Sequence, residues 1–193
     1  MEEEVNKACE ILKDGGIVIF PTDTAFGIGC RMDDVKAIEK LFKIRKRPQD
    51  QATSILVSSI KMAEEYLKVI PKDVKAKLMD KYWPGALTIV LPAILDKVSS
   101  LVRGGGDTLG VRMPDNDIIL KLIKGVGVPI LGPSANFHGG KAPYKASDLP
   151  QNLVKLVDYV IPGETKFQEA STVVDCTKKP WKILREGAIK LEL

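Results

Sequence analysis

"GGIVIFPTDTAFGIG", residues 15–29, is the stretch from which the rest of the chain is read. Its first half contains "IVIF" (17–20), a short continuous apolar run after a glycine pair, the pattern of a strand covered on both faces. Its second half leaves that strand through Pro21, three polar side chains and then two glycines in quick succession. A tight turn needs Gly or Pro, but it has no need of Thr22 and Thr24 as well. The surplus suggests a site.

On the N-terminal side, Val5, Ala8, Ile11 and Leu12 form one helical face over residues 2–14, and Gly15-Gly16 supplies the backbone freedom for a C-terminal cap. On the other side, Asp33 or Asp34 can N-cap a second helix that turns Val35, Ile38, Leu41, Phe42 and Ile44 inward and Lys36, Lys40 and Lys43 outward, with Pro48 as its stop. Further strands are predicted at "SILV" (54–57), "ALTIVL" (86–91), "LGVRM" (109–113), "VPIL" (128–131), "TVVD" (172–175) and "KILR" (182–185). Helices are predicted at 61–68, 72–82, 115–124 and 148–156. This alternation argues α/β or α+β with one mixed open sheet flanked by helices. No repeat or linker divides the chain, so residues 1–193 read as one domain.

Composition narrows the function classes. Hydrophobic residues make up 45% and charged residues 28%, the balance of an ordinary globule, and no apolar run is long enough to span a bilayer. The acidic start "MEEEVNKACE" is the reverse of a signal peptide, so a cytoplasmic protein without membrane partners is expected. Cys9, Cys30 and Cys176 are odd in number and widely spaced, which supports neither a disulfide framework nor a zinc motif. His138 is the only histidine, which excludes a multi-histidine metal site. The net charge of +4 is modest, yet "KLFKIRKR" (40–47) carries five cations and no acid. A local positive field is expected there.

Standard nucleotide loops are absent from the sequence. "GGK" (139–141) is followed by Ala142 where a phosphate loop needs Ser or Thr, and "RGGGD" (103–107) lacks the dinucleotide spacing. Instead, "IVIF-PTDT", "VPIL-GPSAN" and "LGVR-MPD" repeat one arrangement, an apolar strand followed by groups able to hold a polar ligand. Open α/β sheets bind ligands at such strand ends. Thr22, Thr24, Ser134 and Asn136 offer neutral donors and acceptors suited to a zwitterion or a ribose. Arg45, Arg47 and Arg112 offer guanidinium forks that match phosphate or carboxylate. Set against this, each loop taken alone reads first as a plain connection, although three together favour a site, and Arg45 and Arg47 read equally as a solvated helix end.

At these residues the sequence resembles the YrdC-like family, the threonylcarbamoyl-AMP synthases. "GGIVIFPTDTAFGIG", "LFKIRKRP", "WPGALTIVL", "LGVRMPD", "GPSAN", "PGET", "STVVD" and "ILREGAI" occur in the family's order across nearly the whole chain. The resemblance implies a nucleotidyltransferase that condenses L-threonine, bicarbonate and ATP into threonylcarbamoyl-AMP and pyrophosphate. It implies a deep basic groove on a twisted α/β sheet, Mg²⁺ accompanying the nucleotide, and delivery of the product to the machinery that modifies tRNA adenosine. Because the chain ends soon after "REGAI", the short single-domain form is expected.

Carried over by position, Thr22, Thr24 and the aromatic slot at Phe26 would hold threonine. Arg45 and Arg47 fall on the family's Lys-x-Arg that faces ATP and are the catalytic candidates. Ser134 and Asn136 match its Ser-x-Asn element at the nucleotide, and Ser171 and Arg185 match further ATP-facing positions. Arg112 becomes a candidate for threonine's carboxylate or a phosphate. Four departures stand out: Phe26 for tyrosine, Arg45 for lysine, Pro133 where threonine is frequent, and His138 for serine.

In the implied reaction a threonine carbamate attacks the α-phosphate of ATP. Both partners are anionic, so the arginines would offset their repulsion, and no residue in the motifs is an obvious nucleophile. Asp23 reads as a base or a metal-facing group, or as an acid satisfied by the backbone N–H groups of its own turn. Two rivals remain. One is a module that binds double-stranded RNA or tRNA through the 40–47 cluster without synthase activity, and the other is a carbamoyl-transfer domain of the kind found in larger maturation enzymes.

Overall fold

The structure is a computed structural model and describes residues 1–192. The chain begins with α1 (Glu2–Lys13), β1 (Val18–Phe20), β2 (Gly27–Gly29), α2 (Val35–Arg45), β3 (Ile55–Leu56) and α3 (Ile60–Glu64). A continuous helical stretch follows, made of α4 (Lys72–Val74), a π turn (Lys75–Met79) and α5 (Asp80–Tyr82). Next come β4 (Leu87–Pro92), α6 (Ser100–Arg103), β5 (Thr108–Arg112), α7 (Asp117–Val126) and β6 (Ile130–Leu131). The last elements are α8 (Gln151–Val154), β7 (Tyr159–Val160), β8 (Thr172–Asp175) and β9 (Lys182–Arg185).

These strands make two mixed sheets where the sequence led us to expect one. The larger has the order β6-β3-β5-β4-β8-β9, with β5 parallel to β3 and antiparallel to β4, and β4 parallel to β8. The smaller has the order β2-β1-β7, with β1 antiparallel to β2 and parallel to β7. β2 also approaches β6, through the isolated bridges Gly27↔Ser134 and Arg31↔Ile130. Gly29 permits this approach, because a Cβ there would run into the carbonyl of Leu131. The glycines of residues 15–29 therefore serve a strand as well as a turn.

Helix α1 buries Val5, Ala8, Cys9 and Leu12 at helical spacing and packs on α7, which turns Ile119, Leu122, Ile123 and Val126 toward it. Each fully buried Leu or Ile here contributes about 1.5–3 kcal/mol. The Asn116 side chain caps α7 by accepting the Ile118 and Ile119 amides at 3.0 and 3.3 Å. Among the described residues, no helix is long and apolar enough to cross a membrane.

Helix α2 departs from the expected pattern in phase and in its end. Asp34 caps it by accepting the Ala37 amide, and Ala37, Ile38, Leu41 and Phe42 face the core. Val35, however, is exposed, Ile44 is only half-buried, and Arg45 takes the inward position. The helix ends at Lys46, which adopts the left-handed conformation (φ 53°), so the chain has turned before it reaches Pro48. The expected helix at 61–68 is shorter, and that at 148–156 is confined to α8.

Candidate active site

Side chains alternate across a strand, so the larger sheet has an apolar face and a polar one. Ile55, Leu87, Ile89, Leu91, Val111 and Val174 all point into the core. The opposite face presents Thr88 and Val90 from β4, Thr108, Gly110 and Arg112 from β5, and Val173 from β8. Ser54 and Ser171, each one residue before a strand, continue the same rows.

A groove lies over this face in two lobes. The first, about 300 Å³, is bounded by Thr22, Thr24, Phe26, Arg112 and Ser171, and the second, about 390 Å³, by Arg45, Arg47, Thr108 and Gly110. The lobes share Ser54, Thr88, Pro133, Ser134 and Arg185. Gly110 keeps the floor of the second lobe low: a Cβ would project toward Thr88 Cγ2 and Ser54 Cβ, 3.4 and 3.5 Å away.

The loop after β1 is organised by its own hydroxyls. Thr22 Oγ1 donates to the Ala25 carbonyl at 2.6 Å and accepts the Thr24 and Ala25 amides at 3.1 and 3.2 Å. Arg112 donates from Nη1 to Thr24 Oγ1 at 2.8 Å, from Nε to the Gly85 carbonyl at 3.0 Å, and from Nη2 to Asp23 Oδ1 in a buried ion pair. Asp23 is thus neutralised by a cation rather than by the amides of its own turn, which corrects the sequence reading. Three of the five guanidinium N–H groups of Arg112 are committed to protein. Burial pulls its pKa down while Asp23 opposes the shift. Phe26 is buried in the core and contributes to the wall of the first lobe.

The second lobe is dominated by unneutralised charge. Arg45 is only 3% exposed, donates from Nε to the Asn136 carbonyl at 3.1 Å, and has no partner for its buried Nη1. Burial, then the like charge of Arg47, pushes its pKa down to about 10. It remains a cation at neutral pH. Arg47 donates to the carbonyls of Gln51 (3.2 Å) and Ala52 in the loop that follows it. Arg45 is accordingly not a solvated helix end. Among the described residues, Arg45, Arg47 and Arg185 pair with no carboxylate.

The remaining candidates divide between lining and support. Ser134 lines both lobes. Asn136 lines neither: it accepts from Ser134 Oγ at 2.5 Å and donates to the Phe137 and Gly140 carbonyls at 2.7 and 2.9 Å, fixing the loop that presents Ser134. Arg185 donates to the Ser171 carbonyl at 2.8 Å and to its Oγ at 2.9 Å. Sequence reasoning missed Ser54, Thr88, Thr108 and Gly110, which lie on or beside strands, whereas the search for polar groups looked only beyond strand ends. The period-two alternation of "TLGVR" (108–112) carried the missing signal.

Fold and groove together define an α/β domain with an arginine-rich, hydroxyl-lined cleft on one face of a mixed sheet. The chain belongs to the Sua5/YciO/YrdC family, whose model, described as "Telomere recombination", matches residues 10–187. It is 36% identical over 192 residues to a threonylcarbamoyl-AMP synthase of Pyrococcus abyssi and 33% identical over 192 residues to one of Bacillus subtilis. These alignments cover 99% of this chain but 56% and 55% of the relatives, so the chain spans about half their length. The crystal structure of P. abyssi Sua5 complexed with L-threonine superposes with a TM-score of 0.92 at 36% identity, over 97% of this chain and 55% of that one.

Proposed function

We propose that this chain is an L-threonylcarbamoyladenylate synthase, which joins L-threonine, bicarbonate and ATP into threonylcarbamoyl-AMP and releases pyrophosphate and water. The observation that carries the reading is Arg45, a buried cation with an unpartnered Nη1, set beside Arg47 in a lobe that opens onto a second lobe lined by hydroxyls. A buried charge without a counter-ion is costly. A ligand phosphate would supply that counter-ion. The threonine complex of the P. abyssi protein and the synthase names of its relatives support L-threonine and ATP as the substrates.

In this reading, threonine occupies the lobe of Thr22, Thr24, Phe26 and Arg112, and the triphosphate occupies that of Arg45 and Arg47. A carbamate oxygen of N-carboxythreonine attacks the α-phosphorus, the carbamate O–P bond forms, and the bond to the β-phosphate oxygen breaks with its electron pair leaving on pyrophosphate. Asp23 has already neutralised Arg112, so Arg45, Arg47 and Arg185 would offset the repulsion between the two anions. Holding the reactants in near-attack geometry lowers such a barrier by roughly 7–11 kcal/mol. Mg²⁺ would enter as the ATP complex. Among the described residues neither lobe is lined by a carboxylate, so its ligands would be phosphate oxygens and water. The product would pass to the tRNA threonylcarbamoyl-transfer machinery of the cytoplasm.

The RNA-binding alternative draws less support from the geometry. Of the five cations in residues 40–47, Lys40 pairs with Asp158 and both arginines line the groove, which leaves Lys43 and Lys46 for an external polyanion. The deciding experiment is pyrophosphate release from Mg-ATP with L-threonine or bicarbonate omitted in turn, and mass spectrometry of the nucleotide product. Release that needs both, with a threonylcarbamoyl adduct of AMP, is expected. Salt-sensitive RNA binding that ATP leaves undisturbed, with no release, would favour the alternative.

A further inference from the structure

The two lobes meet over Thr88, which lines both and is itself 5% exposed. Its Oγ1 lies 2.9 Å from Ser171 Oγ, and Arg185 Nη2 donates to that same serine oxygen at 2.9 Å. A guanidinium N–H already occupies one lone pair of the Ser171 oxygen, and in the arrangement that leaves this oxygen with that single acceptance Ser171 donates to Thr88. The hydrogen of Thr88 then has no acceptor among the described residues. It is a buried O–H donor held by a strand, a cation and a serine.

A donor shared by both lobes faces the place where their two occupants are joined. If the first lobe holds N-carboxythreonine and the second the triphosphate, the atom at the junction is the α-phosphorus, and its non-bridging oxygens gain charge as the carbamate attacks. We infer that Thr88 is a positioning donor for this reaction, with its hydroxyl hydrogen-bonded to an α-phosphoryl oxygen and set in place through Ser171 by Arg185. No proton is transferred: the hydroxyl remains intact, and the bonds made and broken are those at phosphorus. A preorganised donor of this kind acts chiefly on the transition state rather than on binding. The inference rests on the synthase reading.

The test compares Thr88→Val and Thr88→Ser with the parent protein, reading the calorimetric affinities for Mg-ATP and L-threonine, the single-turnover rate of threonylcarbamoyl-AMP formation, and the melting temperature. Valine keeps the β-branched shape that suits a strand. It should slow turnover about 10–100-fold while each affinity stays within about threefold. Serine restores the hydroxyl and should return the rate to within about threefold of the parent, even though it also lacks the methyl. Turnover of the Val variant within twofold of the parent, or a Ser variant as slow as Val at unchanged melting temperature, would overturn the assignment. A parent that binds both ligands but forms no adduct would instead overturn the synthase reading, and this inference with it.

Discussion

Arg112 and Asp23 form a buried ion pair at the wall of the first lobe, with the carboxylate fully buried and the guanidinium tied also to Thr24 and Gly85. Together with the Arg112–Thr24 hydrogen bond, it joins β5 of the larger sheet to the loop after β1 of the smaller one. Asp23→Ala would leave the Arg112 cation buried and uncompensated. A loss of about 3–5 kcal/mol is expected from chemical denaturation. A loss below about 1 kcal/mol would show that water reaches the arginine and that the pair does not hold the sheets together.

Arg45 presents the opposite case, since its charge has no partner to lose. Arg45→Met replaces a buried, half-satisfied cation by an apolar chain of similar length. The ligand-free protein should keep its stability or gain about 1 kcal/mol or more. The variant should also bind Mg-ATP roughly 10–100-fold more weakly, which is the worth of a charge-assisted hydrogen bond. Melting curves with and without nucleotide read both effects together. A variant that is destabilised yet still binds ATP normally would place Arg45 in the scaffold and outside the site.

Thr24 lies within reach of Arg112 and of Thr22, whose Oγ1 is 3.2 Å from its own. Thr24→Val keeps the shape and removes the oxygen that accepts from Arg112. The KM for L-threonine should rise about tenfold while that for ATP moves less than twofold, because the change falls in one lobe only. Equal effects on both constants would contradict the division of the groove.

Asp158 accepts the Ile17 amide at 2.7 Å and Lys40 Nζ at 2.8 Å, tying the entry of β1 to α2. Burial raises its pKa, but the Lys40 hydrogen bond and then that of the Ile17 amide outweigh it, and the carboxyl titrates below its usual value. A carboxyl lowered by folding stabilises the protein above its unfolded pKa of about 4 and loses that contribution as the pH falls through the folded value. The melting temperatures of the parent and of Asp158→Asn should therefore differ near neutrality and converge as the pH is lowered below about 4. A gap that stays constant with pH would mean that the charge is not what matters.

The longer elements were legible because local pattern and tertiary demand agree in them. Helices α1 and α7 and strands β4, β5, β8 and β9 lie where apolar periodicity places them. Strand β2 was not legible, since "GIG" (27–29) reads as turn chemistry, whereas it pairs antiparallel with β1 and needs Gly29 because the Leu131 carbonyl leaves no room for a side chain. Strand β7 was not among the expected strands either, so with only β1 of the three in view the separation of the smaller sheet could not be foreseen. Arg45 follows Ile38, Leu41 and Phe42 at i+7, i+4 and i+3, so its inward direction was written in the helix phase, but a charged residue invites the opposite assumption. The site residues of the motifs assemble around one groove. Which of them line it and which support it depends on hydrogen bonds that no motif spells out: the Asn136 side chain is spent on its own loop, while Arg45 is held by the Asn136 carbonyl far along the chain.

The lining of that groove has chemical consequences beyond binding. Among the described residues it offers guanidinium groups and hydroxyls but neither carboxylate nor imidazole, and the single histidine, His138, is exposed outside both lobes. Such a surface attracts anions while leaving nearby water without a base to deprotonate it. A mixed anhydride formed there would be sheltered from hydrolysis for as long as it stayed bound, so the missing acids would extend the lifetime of a fragile product.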